Sequence, residues 1–244
     1  MENPEANLDR KLGCFNSYAL GEYIRRLYGR RMDFSIMKIA LSDVLDEKLG
    51  TLSDEIMLEL VGAFAKRSDV YVFRNVNSDI TVIGDEGADL RELAEKSVKL
   101  LNKKEVPLKK MSAVIVPRGQ EFSDLEELMS FLGYMTNRYS DGTIVEADEQ
   151  MINKHREKKV VQQEIRAALA EDRVEVFLQP IYSNNEQRFT SAEALVRIRQ
   201  QDGGMLSPGL FIPVAEESGL IVELGDRIFE KVCEFLKQPE VTEA

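Results

Sequence analysis

Residues 189–198 alternate between two sets of side chains, and this alternation predicts a β-strand with one partly polar face. Side chains alternate across a strand, so Glu193, Leu195 and Arg197 share one face with Phe189 and Ser191. Glu193 and Arg197 would then lie about 13 Å apart along the strand. A carboxylate and a guanidinium at that spacing can hold a cation and an anion. The alternative interpretation is a solvated face that happens to carry an acid and a base.

The composition indicates a folded protein and argues against two classes of partner. The sequence has 244 residues, of which 43% are apolar, enough for one large or two modest domains. A formal net charge of −11 argues against non-specific binding to nucleic acid or to an anionic membrane. No stretch approaches the roughly 20 apolar residues of a membrane span, and the N-terminus lacks a signal-peptide pattern. Cys14 and Cys233, each in a helical pattern, are interpreted as buried thiols of a cytoplasmic protein.

The N-terminal part alternates between helical and strand patterns, which favours an α+β sheet covered by helices, the palm-like arrangement of nucleotide cyclases. Helices are predicted at 17–27, after a cap at Ser53, at 90–101 and after a capping box at 123–126. Strands are predicted at 34–41, 70–73, 80–83 and 113–116. Residues 148–171 then predict one long charged helix without Gly or Pro, a stiff connection in which His155 is expected at the surface.

Three sequence blocks after this helix carry a family resemblance. They are Phe177-Leu178-Gln179-Pro180-Ile181, then 191–197, then 206–221. In this order and spacing they resemble the opening of an EAL domain, the bacterial phosphodiesterase module that hydrolyses cyclic dimeric GMP (cyclic-di-GMP). The resemblance implies that Glu193 binds a divalent metal, Mg or Mn in a complete EAL domain. It also implies that Gln179, Leu195 and Arg197 contact the dinucleotide.

The resemblance covers only part of an EAL domain. The family folds as a (β/α)8-type barrel, which typically needs about 250 residues, whereas residues 173–244 number 72. A hard divalent cation takes about six oxygen ligands, which Glu193 alone does not supply. We therefore expect a truncated barrel fragment that binds no metal and is not catalytic. Apolar residues such as Phe177, Leu178, Val196 and Ile198 would be covered by the first domain or by a second copy.

A second resemblance concerns the N-terminal part. The segment Asp9-Arg10-Lys11-Leu12-Gly13-Cys14-Phe15-Asn16 is similar to the one that opens GGDEF domains, the diguanylate cyclase family. The helix, strand, helix and hairpin that follow fit this resemblance as well. A GGDEF module, a connecting helix and an EAL module form a common arrangement in this signalling class.

The residues of the cyclase site have mostly changed. An alignment without gaps turns the signature hairpin into Val76-Asn77-Ser78-Asp79-Ile80, so both glycines and the acidic metal ligand are lost. A metal-binding Asp falls on Lys38, whose charge opposes a dication. The guanine-binding positions fall on Asp46 and Glu55. The resemblance implies an inhibitory product site built from Arg, two residues and Asp ahead of the hairpin. The chain has Lys66-Arg67-Ser68-Asp69, with Asp69 one place out of register relative to Arg74, so we expect this site to be absent. We therefore predict a degenerate, catalytically silent GGDEF-like domain.

These interpretations predict three parts: a degenerate GGDEF-like domain at 1–147, a connecting helix at 148–172 and an EAL fragment at 173–244. The predicted function is cyclic-di-GMP signalling, the parent protein being a phosphodiesterase rather than an active cyclase. One alternative is a non-catalytic receptor or docking module for cyclic-di-GMP. Another is GTP binding by the first domain, with Lys38 paired to the triphosphate. A homodimer through the connecting helix or an exposed barrel edge stays open.

Overall fold

The computed structural model describes residues 7–41, 50–75, 79–109 and 111–238, without the side chains of 50–53, and it divides the chain into two compact units, Met1–Ile152 and Asn153–Ala244. The elements of the first unit are β1 (Leu8–Asp9), β2 (Cys14–Asn16), α1 (Ser17–Gly29), β3 (Ser35–Ala40), α2 (Gly50–Ala65), β4 (Val70–Arg74), β5 (Ile80–Gly84), α3 (Leu90–Lys103), β6 (Ser112–Val116), α4 (Leu125–Arg138) and β7 (Thr143–Glu146). Helix α5 (Glu149–Ala170) begins in the first unit and continues into the second.

The strands of the first unit form one mixed sheet in the order β1-β2-β4-β5-β3-β6-β7. The interior strand β3 is antiparallel to both neighbours, and its register places Lys38 opposite Thr81 on β5 and Val114 on β6. Alternate residues of β3 enter different cores, because side chains alternate across a strand. Met37 and Ile39 pack in the cluster that contains residues of α2 and α3, whereas Ile36 packs with residues of α1 and α4. The predicted α+β sheet covered by helices is confirmed.

Three local predictions about helix starts and position were wrong. Helix α2 begins at Gly50, so Ser53 lies inside it rather than capping it. Helix α4 is capped by Asp124, whose carboxylate accepts a hydrogen bond of 2.8 Å from the Glu127 N–H. The capping pair is thus shifted by one residue from the predicted 123–126 box. Cys14 lies in the short strand β2, not in a helix.

The second unit consists of the rest of α5 followed by β8 (Val174–Ser183), β9 (Arg188–Arg199), β10 (Met205–Leu206), α6 (Pro208–Ser218) and α7 (Ile221–Leu236). The strands form an open antiparallel sheet in the order β10-β9-β8. Ile165 and Ala168 of α5 lie in a buried cluster with Ile198 and Phe211. The long charged helix predicted at 148–171 is therefore also a core helix of this unit.

Exposure within the described residues corrects one expectation and leaves another as a prediction. Phe177 and Leu178 are 46% and 37% exposed whereas Ile198 is buried, and the expectation that the first domain or a second copy covers such residues stays a prediction. His155 is buried rather than at the surface. None of the helices in the described ranges combines the length and apolar character that crossing a bilayer requires.

Candidate functional site

The hairpin of β8 and β9 brings the residues predicted from the EAL resemblance onto one face. The register places Gln179 directly opposite Glu193 and Phe177 directly opposite Leu195, with Arg197 one step further along β9. Directly opposed residues of an antiparallel pair project to the same side of the sheet. Gln179, Glu193, Leu195 and Arg197, together with Phe177, therefore define one surface, which we call the β8–β9 face.

The Arg197 side chain contacts an aromatic ring rather than an acidic side chain. Its guanidinium lies 5.8 Å from the centroid of the Phe177 ring, a cation–π distance, and its Nη1 donates a hydrogen bond of 2.7 Å to the Val196 carbonyl. Glu175 lies opposite Arg197 in the register but pairs with Arg199 instead, at 2.5 and 3.0 Å. These hydrogen bonds lower the pKa of Glu175. Within the described ranges, Arg197 makes no ion pair, so its charge is available to an anion.

Glu193 supplies one exposed carboxylate to the β8–β9 face. Its strand neighbour across the hairpin, Gln179, supplies an amide that can donate and accept hydrogen bonds. The part of the chain that the structure describes contains no group of three or more His, Cys, Asp or Glu residues that could hold a metal ion. Glu193 therefore fits as one ligand of a hard cation, but the ligand set seen here is incomplete.

At the position of the first unit where the GGDEF resemblance implies a metal ligand, the structure shows an internal ion pair. The Lys38 Nζ lies 3.2 Å from Oδ2 of Asp79, with the two side chains 14% and 2% exposed. The other carboxylate oxygen of Asp79 accepts a hydrogen bond of 2.9 Å from the Leu41 N–H. A side-chain ammonium at this carboxylate does not fit a bound dication, because the two cations would repel each other.

The remaining cyclase positions are only partly described. Glu55 lies exposed on α2. Asp46, Val76, Asn77 and Ser78 lie outside the described residues. Among the described residues of this candidate site, Lys38 pairs with Asp79.

Arg67, near the position of the family's inhibitory product site, is engaged by two acids of its own unit. Its guanidinium donates two hydrogen bonds to Asp69, at 2.9 and 2.6 Å, and a third to Glu92, at 2.9 Å. The hydrogen bonds from Arg67 lower the pKa of Asp69. The arginine is thus engaged in contacts within its own unit, and the expected absence of the product site stays a prediction.

The partners in these contacts are not evident from the sequence. The Lys38–Asp79 pair joins a residue of β3 to the residue just before β5, and only the β3–β5 register brings them together. Glu92 could have been singled out, because it lies in the first turn of α3, three residues after the N-cap Asp89, where acids are favoured.

The comparisons with known proteins locate the EAL part. Residues 162–243 match the family model described as "EAL domain". Signaling protein YkoW of Bacillus subtilis is 44% identical over 69 residues, which cover 28% of this chain and 9% of that protein. Cyclic di-GMP phosphodiesterase NbdA of Pseudomonas aeruginosa is 24% identical over 253 aligned residues, 95% of this chain and 32% of that protein. This chain thus spans a third or less of the length of the first three curated relatives it matches.

A solved structure shows the same fold over both units. Vibrio cholerae LapD, as an S helix-GGDEF-EAL protein bound to c-di-GMP, matches 96% of this chain and 59% of its own with a TM-score of 0.51 at 15% identity. At that identity the likeness concerns the fold alone. These comparisons bear out the resemblance found in the sequence: residues 162–243 are similar to an EAL domain, and the fold is similar to that of a GGDEF–EAL protein.

Proposed function

We propose that this chain serves bacterial cyclic-di-GMP signalling and that its β8–β9 face forms part of a cyclic-di-GMP binding site in the cytoplasm. The single observation that carries the proposal is the cross-strand register that places Gln179, Glu193, Leu195 and Arg197 on one face, within a segment that matches the EAL domain.

The chemistry of the β8–β9 face suits a cyclic dinucleotide. The Arg197 guanidinium can donate to phosphate oxygens, and charge-assisted hydrogen bonds of this kind are the stronger ones. Phe177 and Leu195 offer apolar area on which a base can pack. Glu193 would contribute one oxygen ligand to a Mg or Mn ion, which in a complete EAL domain activates the attacking water. The first unit then acts as a regulatory domain without cyclase chemistry.

The test uses a polypeptide in which this chain continues into a complete EAL barrel. With Mn²⁺ present, that protein should hydrolyse cyclic-di-GMP, and Glu193→Ala should reduce turnover by at least about 100-fold, because a metal ligand is lost. Glu186→Ala is the matched control, since Glu186 is an exposed acid in the β8–β9 turn that pairs with Arg188. Equal turnover in both variants would contradict the assignment of Glu193.

A receptor without chemistry is the second candidate. It is favoured by the absence of a three-ligand metal cluster among the residues that the structure describes. Calorimetric titration of cyclic-di-GMP in the presence of EDTA separates the two candidates. A receptor would bind the dinucleotide without metal and without turnover, and Arg197→Ala would weaken that binding. Hydrolysis with Mn²⁺ would instead support the phosphodiesterase.

We also propose that a second copy of the chain can cover the free edge of β8. In the sheet order β10-β9-β8 this strand has a neighbour on one side only, and Phe177 and Ile181 on it are 46% and 49% exposed. Unpaired strand edges with exposed apolar side chains are prone to pair with another chain. Sedimentation equilibrium should show a dimer that Ile181→Lys dissociates. A monomer at all concentrations would contradict this part of the proposal.

A further inference from the structure

The Lys38–Asp79 pair links two neighbouring strands of the sheet in the first unit, close to the end of β3 and the start of β5. Lys38 is on β3, and Asp79 immediately precedes β5. Because Lys38 lies opposite Thr81, Asp79 is its diagonal neighbour two residues along the adjacent strand. The carboxylate of Asp79 contacts the Lys38 ammonium with one oxygen and the Leu41 N–H with the other.

The burial of this pair determines its energetic role. Asp79 is 2% exposed, and an ionised carboxylate in such a place is costly unless it is paired and hydrogen-bonded. Removing one partner of a buried pair leaves the other charge uncompensated, which is more damaging than removing both. The ammonium of Lys38 therefore compensates the charge of a carboxylate that the fold buries.

We infer that the Lys38 ammonium is a built-in replacement for a divalent cation at this end of the first unit. The GGDEF resemblance implies a metal-coordinating acid at position 38, and the chain carries instead a cation that neutralises the neighbouring carboxylate. The end of β3 and the start of β5 are thereby tied together without metal. This inference does not depend on the proposed function of the β8–β9 face.

The inference predicts how the stability of the first unit depends on divalent cations. The first unit of the unmodified chain should have the same stability with and without divalent cations. The substitution Lys38→Asp places two acids where the ion pair was, so the variant should be destabilised in EDTA and regain stability with Mn²⁺. Two adjacent carboxylates repel each other when no cation lies between them.

The experiment follows thermal unfolding of the full chain by circular dichroism, in EDTA and in millimolar MnCl2 at matched ionic strength. Lys38→Met should lower the melting temperature by at least about 6 °C, because it removes the cation from a buried ion pair. Lys38→Met combined with Asp79→Asn should recover part of that loss, since both charges are gone. The matched control is Lys96→Met, which removes a lysine of the same unit from an exposed pair with Glu92 at 2.7 Å and should shift the midpoint little.

Amide hydrogen exchange of Leu41 gives a local reading of the same pair. Lys38→Met should speed exchange at Leu41, and Lys96→Met should not, because the Leu41 N–H donates to Asp79. If Lys38→Asp does not fold in either buffer, Lys38→Met and the double variant decide the outcome.

Three results would overturn the inference. The first is a rise in the melting temperature of the unmodified chain with Mn²⁺ that Asp79→Asn removes, which would show a metal site. The second is a Lys38→Met variant as stable as Lys96→Met with unchanged exchange at Leu41. The third is a folded Lys38→Asp variant whose stability Mn²⁺ does not change.

Discussion

Substitution of Gly84 tests the β3–β5 register that brings Lys38 towards Asp79. It is the last residue of β5, and its partner on β3 is Ser35, in the same ladder that places Lys38 opposite Thr81. The Ser35 hydroxyl donates a hydrogen bond of 3.3 Å to the Gly84 carbonyl. A Cβ at position 84 would lie 2.7 Å from the Ser35 Oγ and 2.8 Å from the Ala88 Cβ. Both distances are below ordinary van der Waals contact, so Gly84→Ala forces a shift in this ladder.

The expected loss of unfolding free energy in Gly84→Ala follows from the cost of overpacking a buried site. An extra methyl group that strains its neighbours costs about 1–3 kcal/mol. The matched control is Gly133→Ala, since Gly133 lies inside α4 and a Cβ there meets nothing within 4 Å. Alanine in a helix interior stabilises by about 0.5–1 kcal/mol relative to glycine. The same chemical change should therefore have opposite signs at the two positions.

The assay is urea unfolding followed by circular dichroism, with the free energy of unfolding obtained by linear extrapolation. Gly84→Ala should lower that free energy and Gly133→Ala should raise it, a difference of about 1.5–4 kcal/mol between the variants. Equal stability of the two variants, or a Gly84→Ala variant more stable than the unmodified chain, would refute the close approach of Ser35 and Ala88 and with it the β3–β5 register.

Two further predictions concern ionisable groups at the start of the first unit. Burial alone would raise the pKa of Asp9, but its hydrogen bonds, the 2.8 Å bond from Arg74 among them, outweigh burial and lower it. The stabilisation from ionised Asp9 should therefore be present above about pH 4 and lost as the pH falls through the lowered pKa of Asp9. Urea titrations at several pH values should show that Asp9→Asn removes this pH-dependent part of the unfolding free energy. Burial raises the pKa of the Cys14 thiol to about 11, so a disulfide reagent at pH 8 should modify Cys14 much more slowly than the partly exposed Cys233. Equal labelling rates would contradict the burial of Cys14.

The elements of the fold could be predicted where the sequence pattern is local and strong. Strand β3 and helix α3 lie close to their predicted bounds, because a dense apolar run and a clear helical stripe specify them. The short strands β1, β2 and β7 were missed, since two to four residues do not establish a period. The helix starts were wrong by a few residues because more than one polar residue near positions 53 and 124 could serve as a cap.

The candidate sites also differ in whether a local sequence pattern specifies them. The β8–β9 face could be predicted because Glu193, Leu195 and Arg197 occupy every second position of one strand. Strand periodicity alone places such residues on the same face. The partners of Lys38 and Arg67 could not be predicted, because Asp79 and Glu92 reach them only through strand register and helix packing. Alignment predicted a lost metal ligand at position 38, but only the structure shows that the new lysine has a buried acid beside it.

The central proposal is that the first unit, whose fold is similar to that of GGDEF domains, has an internal ion pair of Lys38 with Asp79 in place of a cation site. Calorimetric titration of the full chain with GTP in the presence of Mg²⁺ tests it most directly, because Lys38 is also the residue that would meet a triphosphate. The account predicts no saturable heat at millimolar GTP. One-site binding of GTP that is abolished by Lys38→Met would contradict it.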